Sequence, residues 1–97
     1  MIPSVKALLD YAIEIKGQPM QTIKQKRQFY VAVISDNLEF TPKSSSESRR
    51  EPLKQLQAVL EHLENTNSFR AADYSEKSFN ASYVLAFVKH WQNTRSE

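Results

Sequence analysis

Residues 41–53 read Thr-Pro-Lys-Ser-Ser-Ser-Glu-Ser-Arg-Arg-Glu-Pro-Leu, and they gather side chains that suit an anion. Lys43, Arg49 and Arg50 supply positive charge, while Ser44, Ser45, Ser46 and Ser48 supply short hydroxyls. A guanidinium meets phosphate through parallel N–H donors, and the free amides of a helix start add to such a site. A second basic group, Lys24-Gln25-Lys26-Arg27, lies upstream. Lys24, Lys26, Arg27, Lys43, Ser44, Ser45, Ser46, Arg49 and Arg50 are therefore the candidate phosphate or nucleic-acid-binding residues. Gln25, Gln28 and Tyr30 lie close enough in sequence to touch a base or a sugar. The ordinary alternative is a solvated loop whose serines cap a helix.

Charge distribution favours looking here. The net charge is only +2, yet residues 24–50 hold six cations against three acids. Residues 1–23 balance, and residues 51–97 carry five cations against six acids. Where positive charge sits bears more on polyanion binding than the total does.

Three further constellations carry side chains suited to binding. Residues 73–83, Asp-Tyr-Ser-Glu-Lys-Ser-Phe-Asn-Ala-Ser-Tyr, are dense in ligand-binding side chains and could form a pocket wall. Capping of the last helix by Ser78 or Asn80 explains the same residue types, with Tyr74, Phe79 and Tyr83 packed on the core. Tyr83, Phe87 and Trp91 at helical spacing read first as core and second as a surface for a protein partner or second copy. His62 and His90 stand on different helices with no metal-ligand spacing, so no metal site is expected, and both read as surface positions.

Composition excludes much else. A single glycine, Gly17, rules out the glycine-rich loops that cradle nucleotide phosphates, so no cofactor is expected. The absence of cysteine rules out disulfides and thiolate chemistry and favours a reducing compartment. The first residues lack a signal-peptide plan, and no apolar run approaches about 18 residues. These features place the expected location in the cytoplasm, away from the membrane.

The elements that must position these groups follow from periodicity. Val5, Leu8, Leu9, Ala12 and Ile13 make one helix face, with Ser4 as cap and Gly17 as stop. Residues 20–23, 29–34 and 38–41 read as strands, and Ser35-Asp36-Asn37 as a turn. Residues 29–34 are apolar on both faces, the mark of a strand covered on both sides. Leu53, Leu56, Val59, Leu60 and Leu63 form a second helix beginning at Ser48, through a Ser-x-x-Glu box, or at Pro52. A third helix starts near Ser78 or Asn80 and carries Tyr83, Val84, Phe87, Val88 and Trp91.

Residues 1–97 thus read as one small α+β domain: a helix, a two- or three-stranded antiparallel sheet, then two helices (α-β-β-β-α-α). The hairpin brings the loop at residues 24–27 beside residues 42–50. The expected function is non-enzymatic binding of DNA, RNA or another phosphate-bearing ligand at that basic edge. A protein–protein adaptor or homodimeric accessory protein, using its aromatic C-terminal helix, is the second expectation.

Overall fold

The computed structural model describes residues 2–45 and 47–95. It contains α1 (Val5–Glu14), β1 (Met20–Gln21), β2 (Gln28–Ile34), β3 (Asn37–Pro42), β4 (Arg49–Glu51), α2 (Leu53–Thr66), a 3-10 turn (Ala71–Tyr74) and α3 (Ala81–Arg95). The fold is α+β in the expected order, with one strand more than the sequence suggested. Among the described residues, no helix is long and apolar enough to cross a membrane.

Local chemistry sets the ends of several elements. Ser4 accepts a hydrogen bond from the Ala7 amide at 3.1 Å and so caps α1. Gly17, with φ +89°, turns the chain away after that helix. Ser35 and Asp36 both have positive φ, 50° and 65°, which is the two-residue turn whose twist matches a hairpin. Asn67 closes α2 in the left-handed region, its amide donating to the Leu63 carbonyl at 2.6 Å.

The four strands form an antiparallel meander in the order β1-β2-β3-β4. Phe29 lies opposite Pro42, Val31 opposite Phe40, and Leu38 opposite Glu51. Phe29, Val31, Leu38 and Phe40 are buried beneath the helices. Tyr30, Ala32, Glu39 and Thr41, which alternate with them, remain partly exposed, and Ile34 is exposed. The expectation that β2 is covered on both faces is therefore corrected. The helices pack on one face, and the apolar outer residues of β2 gain only the shelter of neighbouring strands.

The core joins this covered face to α1 and α3. The Phe29, Phe40 and Tyr83 rings lie within 5.0–5.9 Å of one another, and Phe40 meets Phe87 edge-on at 6.3 Å. Tyr11 of α1 stacks on Phe87 at 5.7 Å. Its hydroxyl also lies 2.6 Å from His90 Nδ1 and 2.8 Å from Thr94 Oγ1. His90 and His62 are half-buried, not surface groups. Aromatic pairs of this kind add to the area they bury, so these rings anchor the sheet to the helices.

Candidate functional site

A cleft of about 590 Å³ opens beside the covered face of the sheet. Lys24, Arg27, Arg49 and Arg70 line it, together with Phe69, Phe79 and Tyr83. No carboxylate lines it. Among the described residues the one ion pair is Arg95–Glu14, neither member of which lines the cleft, so the four cleft cations have no acidic partner. Like charges held around a concavity focus positive potential into it.

The basic loop is built to hold its shape. Buried Thr22 accepts from the Lys26 amide through its carbonyl (3.1 Å) and from the Arg27 amide through its hydroxyl (3.0 Å). The Thr22 amide donates in turn to the Arg27 carbonyl at 3.0 Å. Lys26 takes φ 57° to close the turn. Lys24 and Arg27 thereby reach the cleft from a short, hydrogen-bonded loop, while exposed Lys26 does not line it.

The opposite wall is fastened by a buried carboxyl group. Glu51, at the end of β4, is 0 % exposed. Its Oε1 accepts from Ser78 Oγ at 2.8 Å and from Asn80 Nδ2 at 3.1 Å. Asn80 Nδ2 also donates to the Arg50 carbonyl at 3.0 Å, and the Asn80 amide donates to Ser78 Oγ at 3.0 Å. Glu51 Oε2 has no hydrogen-bond partner. Burial pushes this carboxyl above its ordinary pKa, against the smaller opposing pull of the two hydrogen bonds. The latch ties the last strand to the segment leading into α3.

That segment displays Phe79. Its neighbours Ser78 and Asn80 are only 5 % and 6 % exposed, whereas Phe79 is 91 % exposed. The expectation that Phe79 packs on the core is corrected. Spacing from Tyr83 suggests a shared helix face, but α3 begins at Ala81, so Phe79 lies outside the helical phase. The expected capping side chains are engaged elsewhere, since Ser78 and the Asn80 amide group serve Glu51.

The two adjacent arginines part company. Arg49 lies opposite Phe40 and shares its covered face, with its guanidinium 5.8 Å from the centre of the Tyr83 ring. Arg50 lies opposite Glu39 on the other face. Alternation along a strand forces this separation. Of the two expected helix starts, Ser48 is displaced by β4, whereas Pro52 stands at the boundary: α2 begins at Leu53, with Pro52 as an N-cap that makes no side-chain bond. The arginines and serines therefore do not surround a helix terminus.

The serines close a hairpin loop instead. Ser45 Oγ accepts from the Glu47 amide at 3.1 Å, and the Ser48 and Thr41 hydroxyls lie 2.9 Å apart. The Lys43 amide donates to the Gln28 carbonyl at 2.9 Å, so the two basic segments adjoin at one end of the β2–β3 pair. Lys43, Ser44 and Ser45 are exposed but do not line the cleft. Ser46 lies outside the described residues.

The aromatic candidates also divide. Tyr83 is half-buried and lines the cleft, whereas Phe87 and Trp91, 0 % and 5 % exposed, belong to the core and present no partner surface. Phe69, Arg70 and Phe79 carry no sequence motif that marks them as ligand-binding residues. The density of polar and aromatic types at residues 73–83 was the signal that pointed towards part of this wall. No group of three or more His, Asp or Glu side chains able to hold a metal occurs among the described residues. No protein family, curated protein or solved structure is matched by this chain, so the cleft is interpreted from its own chemistry.

Proposed function

We propose that this domain is a nucleic-acid-binding module that grips phosphate groups in its cationic cleft. The observation that carries this reading is the lining itself: Lys24, Arg27, Arg49 and Arg70 converge with no carboxylate among them. Unpaired cations around a concavity attract a polyanion and release its counterions when it binds. Arginine adds planar, paired donors that suit phosphate oxygens. Lys26, Lys43 and Arg50 supply charge outside the cleft and matter less.

Titration of a fluorescein-labelled oligonucleotide against the protein, at several salt concentrations, tests the reading. Four phosphate contacts on a single strand predict a log–log salt slope of about −3. Arg49→Ala with Arg70→Ala should weaken binding and flatten that slope. Absence of binding at low salt, or binding insensitive to both salt and these substitutions, would overturn it.

A further inference from the structure

We propose that the cleft takes a single-stranded polynucleotide, DNA or RNA, with an unpaired base stacked on Phe79 and neighbouring phosphates held by the surrounding cations. This inference rests on the phosphate-binding reading above and adds the state of the nucleic acid.

The argument starts from the exposure of one ring. Phe79 is by far the most exposed large apolar residue described, ahead of Ile13 at 64 %. It is not exposed through slackness of its backbone. Ser78 and Asn80, on either side, are buried and bonded to the same Glu51 oxygen, and Asn80 also holds the Arg50 carbonyl. The residue between these two inward-facing anchors faces out. The backbone that carries the ring is anchored, and Phe79 lines the same cleft as Arg49 and Arg70, a cleft without acidic groups.

An exposed aromatic face among cations matches the chemistry of unpaired nucleotides. Each base has two π faces, and an unstacked base can lay one on a side-chain ring while its phosphates meet positive charge. In a duplex those faces are already occupied by neighbouring base pairs. The 590 Å³ cleft has the capacity of a small-ligand site, so it admits a nucleotide unit, whereas a duplex could only lie across its rim. Charge complementarity selects a polyanion over a protein docking on Phe79, because an apolar partner would bury four unpaired cations.

Four fluorescein-labelled probes decide the matter: ten-residue oligo-dU and oligo-U, an abasic strand of equal charge, and a GC-rich hairpin whose stem stays paired at low salt. The proposal expects the two base-bearing single strands to bind roughly tenfold or more tighter than the abasic strand and the hairpin. Oligo-dU and oligo-U differ only at the sugar 2′ position, so a preference between them identifies which sugar the cleft favours, and either preference supports a single strand. Phe79→Ala should bring the base-bearing strands down to the abasic affinity, and Phe79→Leu, which keeps apolar bulk without a ring, should do the same. An unchanged thermal melt for both variants establishes that the fold is kept. Arg49→Ala should weaken all four probes. Equal binding of every probe, unaffected by Phe79→Ala, would overturn the single-strand inference and leave phosphate binding standing. No binding of any probe would overturn both. A dimer in sedimentation that Phe79→Ala abolishes, with no preference among the probes, would assign the ring to self-association and also overturn the inference.

Discussion

Among the described residues two arginines sit over aromatic rings, one with a carboxylate beside it and one without. Arg95, at the end of α3, lies 5.4 Å from the Tyr11 ring centre and 5.5 Å from that of Trp91, and it pairs with Glu14 at 4.0 Å. Tyr11 and Trp91 are themselves buried. Arg49 lies over Tyr83 with no acidic partner, in a cleft shared with three other cations. The residue types are nearly the same. The first arrangement sets its charge against an acid at the surface, where the Arg95 and Glu14 side chains are 44 % and 64 % exposed, and the second has no acid beside it. What separates a structural arginine from a candidate binding one is therefore the presence of a carboxylate, not the ring beneath it.

The strongest way to break this contrast is to undo the latch behind the open site. Glu51→Ala removes the shared acceptor of Ser78 and Asn80 and leaves a void. It should cost about 2–4 kcal/mol in denaturant unfolding. An equal loss from a substitution at exposed Glu14 would show that the latch has no special weight.

Next in size is the binding contrast. Arg49→Ala with Arg70→Ala should reduce oligonucleotide affinity by roughly tenfold or more at low salt, as expected for lost phosphate contacts. Arg95→Ala and Arg50→Ala should leave that affinity within about twofold. Equal losses in all these variants would mean that overall charge, not the cleft, sets affinity.

Tyr11→Phe sharpens the closed side. It deletes the hydroxyl that meets His90 and Thr94 and should cost about 1 kcal/mol of stability without changing binding. Chemical denaturation alongside anisotropy separates the two readouts.

The smallest effect is in pH dependence. The Glu51 carboxyl is held above its ordinary value of 4.5 by burial. Its favourable contribution is therefore complete below the unfolded pKa and is lost as pH rises through the folded one. Glu51→Gln keeps an acceptor for Ser78 and Asn80 and removes the charge. Thermal melts of this variant should lack that part of the decline in stability above pH 4.5, and it should equal or exceed the parent near neutrality. A variant less stable than the parent at pH 7, with the same pH slope, would show that the ionised carboxylate is the favoured form.

How much of this was legible in the sequence depends on the range of the forces involved. α1, the β2–β3 hairpin and the stripes of α2 and α3 follow from local periodicity and turn chemistry, with Ser4, Gly17 and Asp36 as punctuation. β4 was hidden, because Arg49-Arg50-Glu51 has poor strand propensity and Ser48 with Glu51 imitates a helix cap. Pairing with the free side of β3, together with burial of Glu51 against Ser78 and Asn80, overrides that local preference. The opposite facing of Arg49 and Arg50 follows at once from a strand but not from a helix start. Residues 24–27 were recognised as one side of a basic site by composition and by the hairpin that returns the chain. Arg70 and Phe79 escaped because only the tertiary fold carries residues 69–82 over to that side.

The lengths of the outer strands bear on how the molecule behaves in company. β1 has two residues and β4 has three, and β4 bears Arg49 and Arg50. On the β4 side a flank so short and so highly charged gives another polypeptide little backbone to pair with, and two copies approaching there would bring like charges together. On the other side β1 pairs only with Gln28 and Phe29, so among the described residues 30–34 of β2 have no strand beside them there. Any strand-by-strand association between copies should therefore start from β2 and not from β4.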